Sequence, residues 1–107
     1  MRTIERTTQF KKDYKREAKG RHRAALSSDL ARIVEQLAND RRLAASYRDH
    51  ALGGEWNDHR DLHLKPDLVL IYRKPDRQTL QLVRIGSHAK LGLCAPVGLS
   101  WVLTVSI

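Results

Sequence analysis

Four titratable side chains stand where a chain of this kind could do acid–base work. They are His50 in Asp49-His50-Ala51-Leu52, His63 and Asp67 in Arg60-Asp61-Leu62-His63-Leu64-Lys65-Pro66-Asp67, and His88 in Arg84-Ile85-Gly86-Ser87-His88. Each lies at the edge of an expected strand or in a loop just before one. Imidazole titrates near pH ~6.5, so it donates or accepts a proton close to neutrality. Around these groups the chain carries 20 Lys and Arg against 12 Asp and Glu, a formal charge of +8. That balance draws an acidic partner: nucleic acid, an acidic protein or an anionic membrane. Acid–base groups on a polycation suit cleavage of a polyanion, and RNA carries its own nucleophile. A base takes the proton of the 2′-hydroxyl, the oxygen attacks the adjacent phosphorus, and an acid protonates the departing 5′-oxygen. Arginine or lysine, here Arg84 and Lys65, balances the extra charge on the phosphorane.

A metal competes for the same residues. His59-x-x-x-His63 with Asp61 has the look of ligand spacing. On a strand, however, positions 59, 61 and 63 share a face without converging, and Cys94 stands alone, so neither a metal nor any other cofactor is expected. The single cysteine excludes an intrachain disulfide and fits a reducing cytosol. His22 and His59 are read as ordinary exposed or hydrogen-bonded side chains. The first residues lack an apolar signal core, and no stretch reaches the roughly 20 apolar residues of a membrane span, so a cytoplasmic chain without membrane attachment is expected.

The elements that must position these groups follow from periodicity. Residues 2–7 read as a short strand anchored by Ile4. Thr7 or Thr8 then caps a helix over 8–19 that sets Phe10, Tyr14 and Ala18 on one face among lysines and arginines. Gly20 punctuates, and a second helix over 22–39 carries a core stripe of Leu26, Leu30, Ile33, Val34 and Leu37. Because that stripe is buried, an antiparallel helical hairpin is expected rather than a DNA-reading helix-turn-helix. Residues 40–57 read as loop. Strands follow at 60–65, 67–74 and 79–85, with Lys74-Pro75-Asp76-Arg77 as a turn and Leu80, Leu82 and Arg84 assigned to one face. In the first of these, Leu62 and Leu64 alternate with Asp61, His63 and Lys65. The class is α+β: an N-terminal strand and a two-helix hairpin packed on an antiparallel sheet. Leu26, Leu30, Ile33, Leu37, Leu68, Leu70 and Leu80 are expected in the core.

Three segments together resemble a known family. They are residues 47–56 (Tyr47-Arg48-Asp49-His50-Ala51-Leu52-Gly53-Gly54-Glu55-Trp56), residues 60–72 (Arg60-Asp61-Leu62-His63 through Leu70-Ile71-Tyr72) and residues 84–89 (Arg84-Ile85-Gly86-Ser87-His88-Ala89). In this order they resemble the YafQ branch of the RelE/ParE toxin superfamily, over about residues 1–91. The resemblance implies a RelE-like fold and a bacterial type II toxin that cleaves mRNA on the ribosome and is held inactive by a cognate antitoxin. That antitoxin is expected to be of ribbon-helix-helix type, and the complex to bind operator DNA. The resemblance implies His50, His63, Asp67 and His88 as catalytic, with Asp67 or His50 as base and His88 as acid, and Arg84 as the family arginine.

The toxin domain is taken as 1–93. Residues 89–93, Ala89-Lys90-Leu91-Gly92-Leu93, lack the aromatic that relatives carry there, which removes a base-stacking platform. Residues 94–107 form an uncharged apolar tail without a counterpart in the family pattern, expected to be dispensable for folding. Two other functions compete: a non-enzymatic toxin that inhibits a protein such as DNA gyrase, and a simple nucleic-acid-binding module. Neither requires the histidine set.

Overall fold

A computed structural model of the chain describes residues 1–87 and Leu91. The strands are β1 (Thr3–Arg6), β2 (His50–Ala51), β3 (Arg60–Lys65), β4 (Leu68–Asp76) and β5 (Thr79–Gly86), in one sheet of order β1-β5-β4-β3-β2. Neighbours from β2 to β5 pair antiparallel, while β1 joins β5 in parallel. Helix α1 (Thr8–Glu17) follows β1 directly. The second helical segment is three joined pieces: α2 (Arg23–Ala25), a π-helical turn (Leu26–Leu30) and α3 (Ala31–Ala38). Ser27 and Ser28 both donate their hydroxyls to the Ala24 carbonyl, at 3.0 and 2.8 Å, where the helix widens. Such back-bonding competes with the ordinary backbone ladder.

The helices cover one face of the sheet. Leu26, Leu30, Ile33, Leu37, Leu68, Leu70 and Leu80, the expected core, are all buried there, joined by Phe10, Leu62, Leu64, Tyr72, Leu82 and Ile85. Each such side chain contributes about 1.5–3 kcal/mol when removed from water. The opposite face holds a second, smaller cluster in which Val69, Ile71 and Leu91 are covered by Leu52, Trp56 and Val83. Strand β4 is therefore sandwiched, which explains its continuous apolar run from Leu68 to Tyr72.

Three local expectations need correction. Residues 40–57 are not all loop, because His50–Ala51 adds as an edge strand to β3. The reversal after β4 comes later than Lys74–Arg77: β4 continues to Asp76 and the chain turns at Arg77–Gln78. Arg84 does not share the face of Leu80 and Leu82. The pairing slips between Tyr72↔Leu82 and Ile71↔Arg84, and this irregularity brings Ile85 into the helical core instead.

The edge of β5 is closed by side chains of α1. Strand β1 pairs with β5 only from Thr79 to Leu82. Beyond that point the Thr7 hydroxyl donates to the Val83 carbonyl (2.8 Å) while accepting from the Phe10 amide as helix cap (2.9 Å). One turn on, the fully buried Asp13 carboxylate accepts the Ile85 amide at 3.2 Å, and Arg16 donates to the Ile85 carbonyl at 3.2 Å. Polar side chains thus occupy the backbone groups a sixth strand would seek.

Candidate active site

Strand alternation in β3 holds through His63: Leu62 and Leu64 enter the helical core, and Asp61 and His63 take the other face. The pairing then slips between His63 and Lys65, so Lys65 stands opposite the core residue Leu68 and reaches the helical layer instead of sharing the face of Asp61 and His63 as expected. Pairing register then lays the site out in rows. His50 stands opposite Asp61, Asp61 opposite Ile71, and Ile71 opposite Arg84. In the next row His63 faces Val69, which faces Gly86. The His50 and His63 rings meet edge to face with centroids 6.4 Å apart.

His50 is held by its backbone surroundings. Arg48 closes the short helical turn Ala45–Tyr47 in the left-handed conformation, with φ 51°. That aims its carbonyl at the ring, and His50 Nδ1 lies 2.8 Å from the oxygen. A carbonyl only accepts, so Nδ1 carries the proton, and in the neutral ring Nε2 holds the basic lone pair. Asp49 ties this segment to the sheet: its carboxylate accepts from Tyr72 Oη at 2.6 Å and from Arg60 Nε at 3.2 Å. Burial and this carboxylate both raise the Tyr72 pKa, so its hydroxyl stays a donor.

Beneath His50 lies Asp61, with only 4% of its side chain exposed. Its Oδ1 is 3.1 Å from His50 Nδ1 yet receives no hydrogen bond, because the Nδ1 proton is directed at the Arg48 carbonyl. Burial pushes the Asp61 carboxyl up to about 6, His50 pulling the other way.

The remaining expected residues lie apart from this pair. Asp67, at the turn between β3 and β4, is ion-paired with Arg21. Lys65 reaches Asp29 at 3.6 Å. Arg84 is bidentate on Asp13, at 2.8 and 3.0 Å. Burial works to raise the Asp13 pKa, but hydrogen bonds from Arg84, Gln9 and the Ile85 amide hold it below the ordinary carboxylate range. His88 and the tail at 94–107 lie outside the described residues. His59 meets Trp56 edge to face with centroids 5.3 Å apart and contacts the Asn57 carbonyl, as an ordinary hydrogen-bonded side chain. Among the described residues no three His, Cys, Asp or Glu side chains converge as a metal cage would.

Residue-type reasoning passed over Asp61, Asp49, Arg60, Tyr72 and Asp13. The first four all sit inside the segments that carried the family resemblance, so their signal was present but unassigned. Asp13 gave none, since an aspartate on a basic helix looks solvated.

Residues 2–92 match the family described as "Bacterial toxin of type II toxin-antitoxin system, YafQ". The chain belongs to the YafQ family. The mRNA interferase toxin YafQ of Escherichia coli (strain K12) is 40% identical over 91 residues, spanning 84% of this chain and 95% of that protein. A metal-bound toxin from Helicobacter pylori superposes with a TM-score of 0.73 at 44% identity, covering 85% of this chain and 99% of its own. A chain of the E. coli DinJ-YafQ complex superposes at 0.70 with 36% identity, covering 85% and 98%. The RelE-like α+β architecture is therefore that of the YafQ toxins. Within that frame, Arg60 and Tyr72 hold Asp49 beside the sheet, and His50 stands next to Asp61 and His63.

Proposed function

We propose that this chain is the toxin of a bacterial type II toxin–antitoxin pair and an endoribonuclease that cleaves mRNA on the ribosome. The observation that carries the reading is the placement of the His50 proton. With Nδ1 bound to the Arg48 carbonyl, Nε2 is the basic nitrogen of a ring whose side chain is 51% exposed. Nε2 accepts the 2′-hydroxyl proton, O2′ forms a bond to phosphorus, and the P–O5′ bond breaks. His88 protonates O5′, and the products are a 2′,3′-cyclic phosphate and a 5′-hydroxyl. Of the two candidate bases His50 is preferred, because the Asp67 carboxylate is committed to Arg21. His63, one ring away, favours the phosphorane when protonated. Asp67, Lys65 and Arg84 belong to the substrate path, with Arg84 held in place by Asp13.

The names of the relatives support mRNA as the target rather than gyrase. The DinJ-YafQ complex supports a cognate antitoxin, here an acidic ribbon-helix-helix protein that masks the basic face, with the pair binding operator DNA. No helix of the described residues is long and apolar enough to cross a membrane, which is compatible with a cytoplasmic toxin. The test is primer extension on a message translated in vitro, followed by analysis of the ends. Cuts within codons leaving 5′-hydroxyls are expected, unchanged by chelator in the isolated chemistry. His50→Ala and His88→Ala should each lower the rate roughly 10²–10⁴-fold. Finding 5′-phosphate ends would overturn the mechanism in favour of a metal-bound nucleophile. Intact RNA with supercoiling defects would favour the gyrase reading.

A further inference from the structure

Beside His50 lies a groove that the catalytic reading leaves unused. It has a volume of about 580 Å³ and is walled by Asp40, Arg41, Arg42, Leu43, Arg48 and Asp49. Clefts of ~300–1,000 Å³ are of the size that holds small molecules and nucleotides. Its two carboxylates are already neutralised from within. Asp40 accepts from Arg2 at 2.9 Å and from Lys74 at 2.7 Å. Asp49 accepts from Arg60 and Tyr72. The arginines differ: Arg41, Arg42 and Arg48 are exposed, and their guanidinium groups have no hydrogen bond or ion pair among the described residues. The walls are built rather than loose. The Arg41 amide is held by the Gln36 carbonyl at 2.9 Å, and Leu43 and Tyr47 pack on the helical core. The groove therefore presents three uncommitted guanidinium groups around one opening.

Its position indicates the ligand. Arg48 lines the groove and also supplies the carbonyl that orients His50, so an anion lying there is continuous with the site of proton transfer. Guanidinium groups bind phosphate oxygens by paired donors. We infer that this groove binds the sugar-phosphate backbone of the RNA strand flanking the cleaved bond, with Arg41, Arg42 and Arg48 as its phosphate ligands. The inference rests on the assignment of RNA as substrate and adds the path by which the strand leaves His50.

The test uses the full chain and a single-stranded RNA made uncleavable by 2′-O-methylation, with binding measured against salt. Each phosphate contact on a single strand contributes about 0.7 to the slope of log affinity on log salt. Replacing Arg41, Arg42 and Arg48 together by Gln should lower the slope by about 2 and weaken binding at least tenfold. Replacing the same three by Lys should keep most of the slope. Removing the exposed Lys12, Lys19 and Arg23 instead should leave it nearly unchanged. All these side chains are exposed, and matching thermal melts check that the variants fold. Wild-type slope and affinity in the Gln variant would overturn the inference, as would an equal loss in the helix control. So would intact RNA binding with lost affinity for an acidic antitoxin, which would make the groove an inhibitor surface. A wild-type chain that binds RNA through these arginines but leaves translated message uncut would keep the groove and overturn the cleavage assignment. One that binds no free RNA yet cuts translated message would overturn the groove and leave the cleavage assignment standing.

Discussion

Asp61 is the residue whose behaviour departs furthest from its type. A carboxyl pushed up to about 6 by burial holds its proton in the folded state where the unfolded chain, near pH 3.9, has lost it. Between about pH 4 and 6 the folded protein binds more protons, so stability must fall as pH rises through that window. The contribution is fully present below about pH 4 and lost above about pH 6. A rise from about 3.9 to about 6 corresponds to roughly 3 kcal/mol at most. Asp61→Asn removes the titration, so urea unfolding at pH 4, 6 and 8 should show wild type losing ground to the variant across this range. Parallel pH dependence in the two proteins would refute the assignment.

Helix α1 does more than cover the sheet. It ends β1, closes the free edge of β5 and holds Arg84 through one buried carboxylate. Removing one member of a buried ion pair costs about 3–5 kcal/mol. Asp13→Ala should fall near the lower limit, about 3 kcal/mol, because Arg84 keeps 23% of its side chain exposed and regains some water. Thr7→Ala should cost about 1 kcal/mol through its helix cap, and Thr7→Ser much less, since the hydroxyl remains. Denaturant midpoints at constant slope would measure both. An Asp13→Ala protein within ~0.5 kcal/mol of wild type would show that the β5 edge needs no such closure. The Asp13 contribution has the opposite pH sign to that of Asp61. Its carboxyl is held low, so the stability is present above about pH 4 and lost as acid protonates it.

At the scale of the molecule, the far side of β4 is covered, among the described residues, by one thin layer of Leu52, Trp56, Val83 and Leu91. Leu91 is 4% exposed, so the fold needs the chain at least that far. Residues 94–107 lie outside the described residues, and the expectation from their composition stands as a prediction. Deleting them should leave the melting temperature nearly unchanged. A loss of 1 kcal/mol shifts a domain of this size by roughly 4–8 °C, so a fall beyond that range would make the tail an integral part of the sheet. The +8 charge also predicts that inhibitor binding weakens as salt rises.

The core was legible in the chain because hydrophobic period is local information. Leu62 and Leu64 alternating with Asp61 and His63 suffice to orient β3, and Leu26, Leu30, Ile33 and Leu37 suffice to orient the second helical segment. Thr7 as a cap is equally local. The residues able to do acid–base work were visible by type, and the segments around them by family pattern. What required tertiary structure is every relation between residues distant along the chain. No periodicity states that Asp13 will accept the Ile85 amide 72 residues away, or that the pairing will slip after Leu82 and exchange Arg84 for Ile85 in the core. Nor does any local signal make Asp61 a buried acid. Its carboxyl changes character because the folded chain removes its water, and His50 stands beside it only through the pairing of β2 with β3.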